Sequence, residues 1–597
     1  MRSRDVLIYF IFIVLFTACS VSNSYAGEIL EDLGATFVTH FDREINVDKP
    51  EQLNFKRHGG RIISNGIRGG CLKLNVGEYL TVNSSEILDS SEGTISLWVR
   101  PHWIHDATQS HTFLSFLWND EKGSYGALSA GWWGAHSTTY FILNNHYPHA
   151  SGNRNQIRFS KDKWTHLLCA WKAGEKGYVK LYINGCLVSQ REGFAEETIK
   201  LKGPIFIGGD IGTNLSKNRW ADCDIDELAL FPRALPVEEI LEIYIAQGLM
   251  PYSPKVNSEG TILESRVIFD EGREWMTAAG AVETIDRIKK AGFNVYIPCV
   301  WHGQGTRYTS QVAPTENDQV FNEDPLTRVI NLAHLNGIEV HPWFCVALRQ
   351  RHFLNDFYDE NTPEQAFDLH RPGFRNFIVT LISDVVARYD VDGINLDYIR
   401  TMGLCTCSFC IDGYRKKYGR NLLDDMYNKT PNGGVETHIQ DWQDSAVESV
   451  VKDIAEKSKA RKPGLIISID GYPLPRVMTT NSQGRQELLW AKKGFIDAIY
   501  VMDYRESPNF EMMQSIKDEM LKETYLIPLL GNYAKNSGKS IIPRDENLLA
   551  LLIKYVQCRW VNKDIGIYLY GILTDSQIST LHASVFSKKA IPSWNSR

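Results

Sequence analysis

After its first 20 residues the chain has no apolar run of the ~20 residues that a membrane-crossing helix needs, which excludes a polytopic helical membrane protein. It also lacks a large excess of charge of either sign. The 64 basic and 71 acidic side chains leave a formal −7 over 597 residues, with no sign of nucleic acid or another polyanion as partner. No short-period repeat and no low-complexity tract is present. With 43% hydrophobic and 23% charged residues, disordered, collagen-like and coiled-coil readings drop out. Aromatics, by contrast, are plentiful. Fifteen Trp and 26 Tyr suit a protein that stacks sugar rings, although buried core accounts for most such excesses. The eleven Cys are an odd number.

Arg2 and Arg4 precede an apolar run over residues 6–16, the charged and apolar parts of a secretory leader. The run is too short to serve as a membrane span. Leu15-Phe16-Thr17-Ala18-Cys19 resembles a bacterial lipobox, in which Cys19 is lipidated; Ser24-Tyr25-Ala26 is an ordinary cleavage site. Either way residues 1–26 are expected to be a signal peptide. The chain is then exported, to the periplasm, the medium or the cell surface as an outer-membrane lipoprotein.

From residue 35 to about 246 short strand patterns alternate with turn signals, as in Thr94-Ile95-Ser96-Leu97-Trp98-Val99 and Tyr178-Val179-Lys180-Leu181-Tyr182-Ile183. Asn184-Gly185 predicts a tight hairpin, because both residues tolerate positive φ. Many short strands without helices between them predict a β-sandwich. Residues 248–260 read as a linker, after which the periodicity changes. Strands over 266–270, 294–301, 338–345, 393–398, 465–470, 497–504, 525–530 and 566–570 alternate with helical stretches. That is the (β/α)8 pattern. The expected organisation is a jelly-roll domain over 27–249, a linker over 250–262 and a TIM barrel over 263–590.

Gly93-Thr94-Ile95-Ser96-Leu97-Trp98-Val99, Lys163-Trp164-Thr165-His166-Leu167, Leu181-Tyr182-Ile183-Asn184-Gly185 and Ile225-Asp226-Glu227-Leu228-Ala229-Leu230-Phe231 resemble, in order, the laminin G-like, concanavalin A-like jelly roll. Some domains of that kind carry calcium, which makes Asp42 and Asp226, with Asp210 and Glu227, candidate ligands for a structural calcium ion.

The later region resembles the glycosyl-hydrolase-like family numbered ten. The resemblance rests on Arg266-Val267-Ile268-Phe269, Ala291-Gly292-Phe293-Asn294, Tyr308-Thr309-Ser310, Asp324-Pro325-Leu326, Ala333-His334, His341-Pro342-Trp343-Phe344 and Tyr389-Asp390-Val391-Asp392-Gly393-Ile394-Asn395-Leu396-Asp397. It implies hydrolysis of an O-glycosyl bond in a poly- or oligosaccharide, with a carbohydrate-binding sandwich and no cofactor for catalysis. The end of the last motif resembles the α-amylase-like D-G-x-x-x-D, whose closing Asp is the nucleophile. That position is Asp397, with Asn395 where the pattern has Arg.

Barrel enzymes place their chemistry at the C-terminal ends of the strands, and glycoside hydrolysis asks for two carboxyls flanking the scissile bond. Asp397 and Asp503 are the candidate catalytic pair, with Asp503 as acid/base and Asp470 in reserve. Trp301, His302, His341, Trp343, Asp470 and Tyr504 are the candidate substrate-binding residues, the aromatics as stacking platforms. Two other readings compete. One is a non-catalytic glycan-binding surface protein with a degenerate barrel, motivated by the departures from the family pattern at Asn395 and Asp503. The other is a metal-dependent hydrolase using His302, His341 and Asp397.

The cysteines divide. Cys71, Cys169, Cys186 and Cys223 fall in the sandwich, and Cys299, Cys345 and Cys558 read as small buried apolar residues. Cys405-Thr406-Cys407-Ser408-Phe409-Cys410 has most of a zinc knuckle but no fourth ligand nearby, and completion of a metal site by a remote Cys or His stays open. A Cys405–Cys410 disulfide is the alternative in an exported chain, and a loop-bracing role is favoured over a catalytic one.

Overall fold

The computed structural model describes residues 28–42, 55–83, 88, 91–103, 110–118, 125–133, 136–143, 149–151, 159–194, 201–210, 219–428, 436–472, 483–521, 523–535, 541–560 and 562–596. The leader and both of its cleavage signals lie outside these residues. The described residues up to Tyr252, with Ser507–Ser515, make one compact unit; Ser253–Glu506 and the residues from Ile516 onward make the other.

The first unit is an antiparallel sandwich. One sheet runs, edge to edge, Cys186–Glu192, Tyr178–Ile183, Thr165–Lys172, Glu92–Pro101, Cys223–Phe231, Cys71–Leu74 and Arg61–Ile63, with Phe37–Thr39 also pairing with Cys223–Phe231. The other runs His149–Ser151, His136–Leu143, Tyr125–Trp133, His111–Trp118, Leu201–Ile207, Tyr79–Asn83 and Phe55–His58. Alternation sends Ile95, Leu97, Val99, Leu167 and Trp171 into the space between the sheets. Leu168, Ala170, Tyr182 and Phe231 face the other way, but there they meet Ile240 and Ile243 of the helix Val237–Gly248. Cys223–Phe231 is buried along its whole length, its buried Asp224, Asp226 and Glu227 included. Ile183 pairs with Cys186 across Asn184 and Gly185, both at positive φ, the expected two-residue hairpin.

The second unit is a closed parallel barrel: β1 (Arg266–Asp270), β2 (Val295–Trp301), a β3 split into Glu339–Val340 and Trp343–Cys345, β4 (Gly393–Asp397), β5 (Ile466–Gly471), β6 (Ala498–Asp503), β7 (Tyr525–Gly531) and β8 (Ile565–Tyr568). Each strand pairs with the next in chain order, and β1 pairs with both β2 and β8, so no edge is left. The main helices that follow the strands are α1 (Ala278–Ala291), α2 (Pro325–Leu335), α3 (Pro372–Arg388), α4 (Ser408–Tyr418), α5 (Thr437–Arg461), α6 (Glu487–Lys492), α7 (Phe510–Glu519, whose residues up to Ser515 belong to the first unit), α8 (Glu546–Arg559) and α9 (Asp575–Ala583). Caps set several of their ends. Thr277 accepts the Gly280 N–H at the start of α1, and Gly292 closes that helix at φ 91. Asp324 accepts from Leu326 and Thr327 at the start of α2, where Pro325 needs no donor of its own.

Several motif residues that carry the family resemblance make contacts with one another. Asp324 Oδ2 accepts both the Thr309 N–H and the Tyr389 hydroxyl at 2.9 Å. Tyr389 packs edge-on against buried Tyr308. His334 Nε2 lies 2.8 Å from Asp392 Oδ2, which also accepts the Val340 N–H. These residues lock α2 and the β2–α2 loop to the entry of β4; they are framework.

The barrel interior is filled by Val267, Phe269, Ile297, Cys299, Trp343, Cys345, Ile466, Tyr500, Ile527 and Leu529. Its floor, at the N-terminal strand ends, is sealed by residues near 590. Ala590–Ile591 pairs with Ile262–Leu263, and Trp594 joins the interior cluster and donates to Glu339 Oε2 at 2.8 Å. His341 sits on this floor, 3.2 Å from the same carboxylate oxygen and 5.6 Å, ring to ring, from Trp594. Gly393 opens β4 here because there is no room for a side chain: a Cβ would lie 2.5 Å from His341 Nδ1 and 2.7 Å from the Ile466 carbonyl oxygen. Gly393→Ala should therefore lower unfolding stability by about 1–3 kcal/mol, the usual cost of overpacking a filled core. Chemical denaturation of the variant checks this; an unchanged midpoint would contradict the packing.

Candidate active site

Alternation along β4 turns Ile394 and Leu396 out towards the helices and Asn395 and Asp397 in towards the axis. Asp397 ends the strand at the open rim. The chain then bends through Tyr398 at φ 49, a left-handed conformation that a tyrosine adopts only under constraint. This turn brings the Tyr398 N–H to Asp397 Oδ1 at 2.6 Å. On β5 the same alternation directs Ser468 and Asp470 inward. Asn395 joins the two strands: its Nδ2 donates to Ser468 Oγ at 3.1 Å and to Asp470 Oδ1 at 3.0 Å.

The two carboxyls are thus inward-facing neighbours in a nearly water-free place. Burial pushes the Asp397 carboxyl up to about 6, against the pull of the Tyr398 N–H, the Arg400 cation and the Trp343 indole. Asp470 is driven further, well above the usual carboxylate range, first by burial and then by the charge of Asp397, with the Asn395 amide opposing. Like charges so placed cannot both ionise at neutral pH. Of the two, Asp470 is the one whose proton is held more strongly.

Glu271, the residue after β1, is a third carboxylate at the rim. Its negative charge adds to the upward push on Asp397. Glu271 Oε2 accepts the Tyr568 hydroxyl at 2.8 Å, and its Oε1 lies 3.3 Å from His302 Nε2. The Gln350 amide donates to His302 Nδ1 at 2.7 Å, so the ring proton is on Nε2, facing Glu271. Burial lowers the proton affinity of His302, which keeps the imidazole neutral. Tyr504 stacks on Tyr568 at 4.9 Å, with Tyr533 at 6.0 Å from Tyr504, and Trp343 meets both His302 and Tyr568 edge-on. Carboxyls, a neutral histidine and aromatic faces therefore converge at one rim. That set can donate a proton, stabilise positive charge or supply a nucleophile, and hold a ring.

Several of the expected site residues lie elsewhere. Asp503 does not face Asp397. Tyr500, Met502 and Tyr504 belong to the inner face of β6 and its continuation, so alternation turns Asp503 outward, where both of its oxygens accept from the Arg505 guanidinium, one of them at 2.7 Å from Nε. His341 is on the barrel floor, at the opposite end from the rim, so the metal reading built on His302, His341 and Asp397 has no common site. Trp301 is fully buried between Phe353 and Phe377 and offers no face to a ligand. Asp270 turns outward to accept the Tyr296 hydroxyl at 2.7 Å. His302, Trp343, Asp470 and Tyr504 are at the rim or just beneath it.

In the sandwich, Asp42 Oδ1 accepts the Gly70 N–H at 2.8 Å, and Asp226 Oδ2 accepts that of Ile67 at 2.8 Å. Burial and the neighbouring Glu227 push Asp226 up to about 9. The two aspartates proposed for calcium thus hold the 66–70 loop by its backbone. Among the described residues two groups bring three or more metal-ligating atoms within 4.8 Å of one another: Asp368 with Cys405, Cys407 and Cys410, and Cys299 with His302 and Cys345.

Residues 270–529 match the family model described as Glycosyl hydrolase-like 10, and residues 74–241 match that of the Concanavalin A-like lectin/glucanases superfamily. Similar curated proteins are the glycosyl hydrolase YngK of Bacillus subtilis, 24% identical over 212 residues (32% of this chain, 39% of that protein), and the glycosyl hydrolase DigH of Escherichia coli K12, 20% identical over 213 residues (31% and 45%). The matched region thus spans less than half the length of these relatives. Among solved structures, the PgaB (BpsB) glycoside hydrolase domain of Bordetella bronchiseptica aligns at a TM-score of 0.39 and 11% identity, over 53% of this chain and 95% of that one, a likeness too remote to bear on the site. In the order read from the sequence, the chain therefore joins a concanavalin A-like region to a barrel that matches the glycosyl hydrolase-like 10 family.

Proposed function

We propose that the barrel hydrolyses O-glycosyl bonds of a poly- or oligosaccharide, with Asp397 as nucleophile or base and Asp470, in place of Asp503, as proton donor. The observation that carries this reading is the split in proton affinity between two adjacent inward carboxyls at the rim of a glycosyl hydrolase-like barrel. Such a split assigns one acid and one base to the same pH. Glu271, with its Tyr568 and His302 partners, is placed to receive sugar hydroxyls, and Tyr504, Tyr568 and Trp343 to receive a ring face. The leader motif supports export, the concanavalin A-like region supports glycan capture, and the scheme calls on no cofactor.

Asp397→Asn should abolish release of reducing sugar, by at least about 10³-fold in kcat, the range of a lost catalytic group, while leaving glycan binding intact. Asp503→Asn should leave kcat within about tenfold and show itself in stability, since it releases Arg505 from its partner. The opposite ranking in steady-state assays would sink the assignment. A glycan array showing binding, beside a polysaccharide panel with no cleavage by the wild type, would instead favour the non-catalytic reading.

The pH profile follows from the same pair. Asp397 must be ionised and Asp470 protonated, so kcat/KM should rise through about pH 6 and fall again only well above it, as Asp470 loses its proton. A profile already flat at pH 5 would contradict the upward displacement of Asp397.

Stability carries an independent signature. At pH 7 the unfolded chain releases the Asp470 proton, because a free Asp titrates near about 3.9, whereas the folded chain retains it. The wild type is therefore penalised once the pH exceeds the unfolded value, and the penalty is present at pH 7. Asp470→Asn removes the penalty and should raise Tm at pH 7, with the gain fading as the pH falls to about 4. Calorimetry at the two pH values measures it.

A further inference from the structure

From the chemistry of Asp368, Cys405, Cys407 and Cys410 we infer that the chain binds a zinc-class divalent cation in a closed structural site beside the rim. The ligand missing from the Cys405–Cys410 segment is supplied by Asp368, from the loop between β3 and α3. Asp368 Oδ2 lies 3.5 Å from Cys405 Sγ, 3.8 Å from Cys407 Sγ and 3.3 Å from Cys410 Sγ, and all four ligand atoms lie within 4.8 Å of one another. A tetrahedron with Zn–S of about 2.3 Å and Zn–O of about 2.0 Å has O–S edges of about 3.5 Å and S–S edges of about 3.8 Å. The three O–S distances match those edges, and the sulfurs lie within 4.8 Å of one another.

The surroundings fit the same group. All four residues are at most 2% exposed. On that oxygen the carboxylate meets the three sulfurs and, 3.5 Å away, Nε of the half-buried Arg371, one peripheral cation beside four anionic ligand groups. The other oxygen is fixed from behind: Oδ1 accepts the His370 N–H at 3.0 Å and lies 3.0 Å from its Nδ1, and the His370 ring is stacked flat on Trp442 at 4.7 Å. This is the kind of outer support that orients a metal-binding carboxylate. The sulfurs receive donors too: the Cys410 N–H reaches Cys407 Sγ at 3.4 Å, Thr362 Oγ1 is 3.5 Å from Cys405 Sγ, and Arg371 Nη2 is 3.9 Å from Cys407 Sγ. Three thiolates and a carboxylate around a divalent ion leave two negative charges, of which the Arg371 guanidinium offsets one. Soft sulfur ligands in tetrahedral array select zinc over magnesium or calcium. A disulfide between any two of the cysteines would leave Asp368 facing the third with no purpose.

Four protein ligands leave no open position for water or substrate, so the ion braces rather than reacts. It ties the β3–α3 loop to the β4–α4 loop, the segment that leaves Asp397 and carries Tyr398 and Arg400.

The test is elemental analysis of the full chain, purified without chelator under reducing conditions, with cobalt replacement as a second readout. We expect one equivalent of zinc per chain. Cobalt should give the intense near-ultraviolet charge transfer of several thiolates and the visible bands of tetrahedral geometry. Cys407→Ser and Asp368→Ala should lose most of the metal, whereas Cys299→Ser, in the other cluster, should keep it. Zinc absent from the wild type and not taken up on addition would overturn the inference, as would alkylation and mass spectrometry that find two of the three cysteines joined. Metal lost in Cys299→Ser but kept in Cys407→Ser would overturn it as well. If the variants do not fold, the wild-type cobalt spectrum decides alone: bands of octahedral, oxygen-ligated cobalt would reject the site.

Discussion

Closure of the parallel ladder is the constraint from which the rest of the barrel follows. Once β1 pairs with both β2 and β8, every strand residue must face either the axis or the helices, and adjacent residues cannot share a side. The chemistry is then a question of parity. Asn395 and Asp397 on β4, and Ser468 and Asp470 on β5, fall on the inward parity, while Asp503 on β6 falls on the outward one. A carboxylate one position earlier or later on any of these strands would belong to a different part of the molecule.

That closed wall also sets the electrostatics. Asp397 and Asp470 sit in a dry interior where one charge is tolerated and two are not. Asn395 holds the pair by donating to Asp470 without bringing charge of its own. An arginine there, as in the α-amylase-like pattern, would favour ionisation of both neighbours and erase the difference between them. The departure from that pattern and the uneven sharing of one proton are two views of a single residue.

The order of the two folds, the strand count and the position of Asp397 were legible in the sequence, because they rest on periodicity and on motifs with fixed spacing. That Asp503 faces away from Asp397 was not read, although the signal was present. Tyr500, Met502 and Tyr504 are bulky residues at alternate positions, and they assign Asp503 to the outer face. Val267, Phe269 and Glu271 stand in the same relation, which would have singled out Glu271 rather than Asp270. His341 misled because β3 is broken into two short pieces around Pro342, so the residue that reads as a strand end belongs to the floor. Asp368 had no local signal at all. It lies 37 residues before Cys405, and only the packing of two consecutive barrel loops brings it to the cysteines. The family motifs were strong for fold and weak for chemistry for a related reason: Tyr308, Asp324, His334, Tyr389 and Asp392 are occupied with one another.

The floor of the barrel has an implication for how the molecule comes into being. Trp594 fills the bottom of the interior, Ala590–Ile591 pairs with the segment that precedes β1, and Ser593 donates to buried Asp564. During synthesis these residues emerge more than 300 positions after the strand whose surroundings they complete. The floor of the barrel thus closes only after these residues are made, and a nascent chain carries an unsealed apolar interior until they emerge.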